Sequence, residues 1–364
     1  MAVVPASPLA EPADRRATEP VQVSVDPSGA VEAAPDPDVL SMLEAGGRVM
    51  AGVDVGANSV HLLVGLVTGH RLDPLVDESV FLGLGDRVDS AGTLGPAKRA
   101  ELVAALVGYA QTARRLGAER IAFVGTEPMR RAGDAATAVH EVALATAVPL
   151  CVLDPHEEAE LTLIGVTQGQ LINRELAIVD VGGGSSQIVR VGPGHPPASI
   201  GLRLGGARLT AAFVANDPPA PGEIEMMRAE ARRLMAETPA VSLAELIAVG
   251  GTASNLVKVL PAAALDRRLD RGRLRAALDA LGAEPSLAVA ERYAINPTRA
   301  RLLPAGAVIL ETILAHFGLE ELTVSEAGIR EGIVLAQAHA GIAWRDALAR
   351  LAHGWAEGTA ETRA

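Results

Sequence analysis

Two stretches of this chain repeat one order of chemical types: Val53-Asp54-Val55-Gly56-Ala57-Asn58-Ser59 and Val179-Asp180-Val181-Gly182-Gly183-Gly184-Ser185. Each follows an apolar, strand-like run and precedes another. Glycine lets backbone N–H groups come close to an anion, and the closing serine adds a hydroxyl donor. Such a turn suits phosphate. The aspartate at the strand end would repel phosphate unless a cation lay between them, so the pattern predicts Mg²⁺. One Asp-x-Gly hairpin is ordinary turn chemistry. The repeated pair predicts more: two similar half-molecules that present their loops to a shared cleft.

Other segments add chemistry. Gly250-Gly251-Thr252-Ala253-Ser254-Asn255 follows a strand and opens a helix, where free N–H groups and a hydroxyl favour an anion as well as a cap. Arg130 and Arg131 come just after a buried strand, a candidate oxyanion clamp in an acidic protein. His156-Glu157-Glu158-Ala159-Glu160 opens another helix. Acids suit that end of a helix in any case, but one turned inward could take a proton from water. Glu157 and Glu158 project about 100° apart, so at most one does so. His156 has no second His at ligand spacing and is read as structural. Arg330 or Glu331 could support the cleft, but a structural Arg330–Glu331 pair is the expectation.

The elements that position these residues alternate. Strands are predicted at Met50–Asp54, through Val67, and at Ile121–Gly125, Val148–Leu153, Leu176–Asp180, Gln187–Val191, Leu246–Val249 and Leu322–Val324. Helices are predicted near 97–116, 134–147 and 155–168. This is an α/β pattern of mixed or parallel sheets covered by helices. Residues 1–47 are expected to be a disordered acidic tail: the first 45 hold seven prolines and eight acids against Arg15 and Arg16. A first domain over 48–172, a second over 173–342 and a tail over 343–364 follow.

Composition narrows the chemistry. A formal net charge of −12 and only four Phe, two Trp and two Tyr argue against nucleic acid as a ligand. Lys98 and Lys258 are the only lysines and neither follows glycine, so there is no Gly-Lys-Ser/Thr phosphate loop. A lone Cys151 excludes an internal disulfide and a cysteine-based zinc site. With no long uninterrupted apolar run and no secretory signal pattern, no membrane span is expected, and the protein is expected to be cytoplasmic.

Seven segments stand in an order that resembles the exopolyphosphatase and guanosine-pentaphosphate phosphohydrolase family. They are Asp54 to Ser59, Gly125-Thr-Glu-Pro-Met-Arg130, Glu157-Glu-Ala159, Asp180 to Ser185, Gly205-Gly-Ala-Arg208-Leu-Thr210, Gly250-Gly251-Thr252 and Ser325-Glu-Ala-Gly-Ile-Arg-Glu-Gly332. The resemblance implies two ribonuclease-H-like domains around a central cleft, the fold of actin, sugar kinases and heat-shock chaperones. It implies hydrolysis of the terminal phosphoanhydride of inorganic polyphosphate or of a guanosine pentaphosphate alarmone. By the same resemblance Glu158 is the general base, Arg130 holds phosphate and Asp180 serves a metal–phosphate site. Gly182, Gly183, Gly184 and Ser185 bind substrate, together with Asn58, Ser59, Arg208, Gly251 and Thr252. The implied metal is Mg²⁺, or Mn²⁺, on Asp54, Asp180 and Glu158, and the implied assembly is a homodimer.

The chain departs from the family at Gln187, where a glutamate usually stands, and at Glu127-Pro128 in the arginine segment. It has no His-Asp dipeptide, so the helical metal-phosphohydrolase domain of longer relatives is expected to be absent. Two other functions fit the same residues. A non-hydrolytic sensor would bind these ligands without releasing phosphate; a kinase of the superfamily would transfer phosphate from ATP to an acceptor.

Overall fold

The computed structural model describes residues 46–355. All but the last two residues of the tail expected over 1–47 lie outside that range, as does 356–364. The first half contains strands β1 (Arg48–Val55), β2 (Ser59–Thr68), β3 (Arg71–Phe81), β4 (Arg120–Gly125) and β5 (Leu150–Val152). Its helices are α1 (Leu84–Ala91), α2 (Gly95–Arg115), α3 (Glu127–Arg131), α4 (Ala135–Thr146) and α5 (Pro155–Thr167). The second half contains β6 (Leu176–Val181), β7 (Ser186–Gly192), β8 (His195–Leu202), β9 (Glu245–Val249), β10 (Arg268–Asp270) and β11 (Glu321–Val324). Its helices are α6 (Gly206–Phe213), α7 (Pro221–Met235), α8 (Gly250–Val259), α9 (Pro261–Asp266), α10 (Arg271–Gly282), α11 (Ser286–Tyr293) and α12 (Pro297–Phe317). Helices α13 (Ile329–Ala340) and α14 (Leu348–Leu351) follow.

The repeat in the sequence is a repeat in topology. The first sheet has strand order β3-β2-β1-β4-β5, and the second has β10-β11-β9-β6-β7-β8. In each, the first three strands run antiparallel and the next joins parallel: β1 pairs β4 as β6 pairs β9. These are two ribonuclease-H-like units, the second extended by the edge strand β10. Strands β3, β8 and β10 were not legible beforehand. They lie at or next to sheet edges, carry charge or proline, and lack a clean apolar alternation.

Alternation along β1 and β6 sets the layers. Val49, Ala51, Val53 and Val55 face outward toward α2 and α4, while Met50 belongs to a core between the sheets. On β6, Ala177, Val179 and Val181 face the outer helices, and Leu176 and Ile178 face that same inter-sheet core. Side chains alternate with period two, so Asp54 and Asp180 also point between the sheets, one from each. Helices α5 and α13 fill that space, giving five layers: helices, sheet, helices, sheet, helices.

Helix α13 packs on β1, β2 and α5, so the last helix of the segment 173–342 returns to the first sheet. The expected C-terminal tail also differs, because Trp344, Leu348, Leu351 and Ala352 are buried in the inter-sheet core. Helix α12 is long and apolar enough to cross a bilayer. Here it is instead the core helix of the second half, with Leu303 through Leu314 all buried.

Candidate active site

Both repeated loops close in the same way. Gly56 N donates to Ser59 O at 3.1 Å, and Gly182 N donates to Ser185 O at 2.9 Å. Each loop then receives the helix that follows its third strand: Gly85 N donates to Ala57 O at 2.7 Å and Ala207 N to Gly183 O at 2.8 Å. The packing is complementary. In the first copy the loop carries the methyl (Ala57) and the helix the glycine (Gly85); in the second the loop has Gly183 and the helix Ala207. Among the described residues, the N–H groups of Gly183 and Gly184 find no internal acceptor, which leaves them for an anion.

The third loop closes on the second. Gly250 has φ of +81°, and a Cβ there would lie 2.4 Å from Asp180 Oδ1, so only glycine fits. Thr252 Oγ1 donates to Val181 O at 2.6 Å. Arg208 is exposed on α6 and its Nε donates to Gly184 O at 3.1 Å, bracing the glycine turn from its own helix. Asn58 is exposed on the first loop, whereas Ser59 beside it is buried.

Helix α5 separates its two glutamates. Asp154 caps the helix, accepting from His156 N at 2.7 Å and Glu157 N at 2.9 Å, while Glu157 accepts from Asp154 N at 2.9 Å. Glu157 is thus engaged in the capping box, and Arg345 takes both its oxygens. Glu158 turns the other way and accepts from Arg130 Nη1 at 2.7 Å. The same nitrogen donates to Leu153 O at 2.9 Å, leaving Nε and Nη2 of Arg130 without a protein partner among the described residues. Arg131 points away and pairs with Glu127 and Asp89. Tertiary packing therefore brings Glu158 and Arg130 into the cleft and excludes Glu157 and Arg131. His156 lies 3.2 Å from Glu160 in a local helix pair, as a structural role requires.

The carboxylates crowd one another. Burial, then the charges of Glu158 and Asp180, pushes Asp54 up to about 7. Asp180, although solvent reaches it from the cleft, is raised to about 6 by desolvation and then by Glu158. Asp54 Oδ1 is buried with no hydrogen-bond partner among the described residues. An orphan oxygen amid mutually repelling carboxylates fits a divalent cation. Among the described residues, however, no three His, Cys, Asp or Glu side chains gather closely enough to hold a metal ion. The expected three-carboxylate set therefore does not close, and Glu158 is spoken for by Arg130. Mg²⁺ commonly takes one or two carboxylates and completes its sphere with water and phosphate oxygens, and Asp54 and Asp180 suit that habit.

This crowding has a stability signature. Native Asp54 keeps its proton up to about 7 whereas its ordinary value is 3.8. The native state thus binds more protons in that interval, and stability falls as pH rises through it. In metal-free protein at pH 8, Asp54→Asn is expected to raise Tm by on the order of 5 °C. The gain should fade by pH 4, as melts followed by circular dichroism across that range will show. A Tm at pH 8 equal to or below wild type would refute the crowding.

Two cleft residues, Arg330 and His61, lie outside the expected site set. Arg330 pairs with Asp77 of β3 and also stands 3.8 Å from Glu331, so the expected Arg330–Glu331 pair forms beside a second one that reaches across to the first sheet. Glu331 also caps its own helix, accepting from Gly328 N at 2.6 Å. Its position three residues after the N-cap was the available signal. The Arg330 charge acts on both Asp54 and His61, and burial followed by Arg330 pushes His61 down to about 4. His61 sits directly opposite Asp54 in the β1–β2 ladder, as Gln187 sits opposite Asp180 in the β6–β7 ladder. A lone imidazole in an otherwise apolar strand was its signal. The Gln187 amide donates to Ser199 Oγ at 2.9 Å and to Pro155 O, at the start of α5, at 3.4 Å.

Known proteins are similar to this chain over most of its length. A Streptomyces coelicolor protein of uncharacterised function is 31% identical over 309 residues, 80% of this chain and 91% of its own. Mycobacterium tuberculosis exopolyphosphatase 2 is 30% identical over 320 residues, 79% of this chain and 98% of its own. The crystal structure of the Aquifex aeolicus Ppx/GppA family member superposes with a TM-score of 0.73 at 24% identity, covering 80% of this chain and 98% of that one. The fold is therefore shared as well. With the model of the Ppx/GppA phosphatase family matching residues 63–340, the chain belongs to that family.

Proposed function

We propose that this protein is a Mg²⁺-dependent exopolyphosphatase-type hydrolase that releases terminal phosphate from inorganic polyphosphate or guanosine pentaphosphate. The observation that carries this reading is the placement of Glu158. It accepts from Arg130 and lies close enough to Asp54 and Asp180, the strand-end aspartates of the two loops, to raise the pKa of both, while its neighbour Glu157 is held outside.

The terminal phosphoryl group would sit against the free N–H groups of Gly183 and Gly184, with the exposed Asn58 and Ser185 at the loop tips and the buried Ser59 at the start of β2. Arg130 has two unpartnered nitrogens to offer it. A phosphate oxygen that draws Arg130 toward itself releases Glu158 from the ion pair, so substrate arrival frees the base. Glu158 then takes a proton from a water in line with the scissile bond. The water oxygen bonds to phosphorus as the bridging P–O bond breaks, and the electron pair leaves with the shortened chain. A divalent cation on Asp54 and Asp180 would offset the repulsion between these carboxylates and the phosphate. Local donors matter here because a net charge of −12 opposes a polyanion at long range.

The test is phosphate release with Mg²⁺ or Mn²⁺ from polyphosphates of several lengths and from guanosine pentaphosphate. Release is expected, and the faster substrate names the activity. Tight binding of these ligands without release would overturn the hydrolase in favour of a sensor. Release seen only as ATP-dependent transfer to an acceptor would favour a kinase.

A further inference from the structure

The chain beyond α13 forms a strap across the helix that carries Glu158. Its apolar residues Trp344, Leu348 and Leu351 are buried between the sheets. Farther on, His353 Nε2 lies 2.8 Å from His195 O of β8. Trp355 N donates to Gly169 O at 2.9 Å, and the Trp355 ring stacks on His70 of the β2–β3 turn with centroids 5.3 Å apart. The strap is thus pinned to both halves of the molecule.

At its start, Arg345 reaches the first turn of α5. Its Nη2 donates to Glu157 Oε2 at 2.8 Å and to Val152 O at 3.1 Å, and its Nε donates to Glu157 Oε1. One guanidinium therefore staples the end of β5 to the first turn of α5, in the two-pronged geometry that a lysine cannot reproduce. Successive helical residues leave the axis about 100° apart, so holding Glu157 fixes the direction in which Glu158 departs. Two ion pairs grip the turn from opposite sides, Arg345 on Glu157 and Arg130 on Glu158.

We propose that Arg345 is a positioning residue for hydrolysis: by clamping Glu157 to the end of β5, it sets the rotation of α5 that aims Glu158 at the attacking water. This rests on the reading of Glu158 as the base. The Arg345 guanidinium also holds the Glu157 carboxyl below the usual carboxylate range, so the clamp stays charged at neutral pH.

The experiment compares Arg345→Ala, Arg345→Lys, Glu157→Gln and the Arg345→Ala/Glu157→Gln double variant. Glu157→Gln keeps an amide oxygen to accept from Asp154 N, so the helix cap survives. Arg345→Ala and Glu157→Gln are each expected to lower kcat about tenfold with KM within about twofold of wild type. The double variant should be no worse than either single one, and Arg345→Lys should recover part of the loss. Circular dichroism confirms that each is folded at the assay temperature. Unchanged kcat, a rise in KM alone, or losses that multiply in the double variant would overturn the proposal. If Glu158→Ala leaves kcat intact, the base assignment itself has failed. If Glu158→Ala removes activity and Arg345→Ala does not, only the positioning role has failed.

Discussion

Glu158→Ala is expected to lower kcat about 10³-fold, within the range of losses seen when a positioned general base is removed. The other glutamates of α5 cannot take over. Glu157 is bound to Arg345 and to the backbone of its own helix cap, and Glu160 is buried against His156. The direction of the KM change is the finer test. In the wild-type protein Glu158 occupies Arg130 at 2.7 Å, competing with phosphate for the same guanidinium. Removing the carboxylate frees Arg130, so KM should stay level or fall while kcat collapses. Glu158→Gln, which can still accept from Arg130 but cannot take a proton, should match the alanine variant in kcat. Initial-rate phosphate release at several substrate concentrations measures both parameters. A Glu158→Ala enzyme within about threefold of wild-type kcat would remove the residue from the mechanism.

Gly332→Ala is expected to have the largest effect on stability, about 3 kcal/mol or more. Helices α5 and α13 cross at backbone contact. A Cβ on Gly332 would lie 1.9 Å from Leu161 O, and one on Gly165 would lie 1.8 Å from Gly328 O. Carbonyl oxygens in a helix backbone cannot swing aside as a flexible side chain can, so the whole crossing must open. For a chain of this size each kcal/mol shifts Tm by about 2–4 °C, so a fall on the order of 10 °C should appear in thermal melts. Because α5 carries Glu158, the surviving folded protein should also lose kcat. Gly108→Ala is the control: it lies within helix α2 with nothing near its would-be Cβ. That substitution should be neutral or stabilise by up to about 1 kcal/mol. A Gly332→Ala protein melting within about 2 °C of wild type would show that the helices are not locked by this contact.

Much of the site could be read from local sequence because local backbone chemistry creates it. The Asp54 and Asp180 turns need glycine and a hydroxyl at fixed spacing, and the same Gly N–H to Ser O closure forms in both copies. Their repetition foretold two sheets of one topology, since each copy must sit between the first two strands of its unit. Apolar alternation in Met50–Asp54 and Leu176–Asp180 likewise fixed which face each aspartate takes. What sequence spacing left undecided was every choice that depended on a distant partner. The helical wheel could not choose between Glu157 and Glu158, because that choice rests on Arg345, far along the chain, occupying one side of the turn. Arg130 and Arg131 are adjacent and chemically identical; the position of Asp89 and Glu127 on one side and of Glu158 on the other separates them. His61 comes to the site with the β1–β2 hairpin itself, directly opposite Asp54, but Arg330 joined it only when α13 returned to the first sheet. Turn geometry and strand alternation are short-range consequences of the backbone. Partner choice among charged side chains is settled only when packing brings remote segments within a few ångströms and excludes the water that would otherwise solvate each alike.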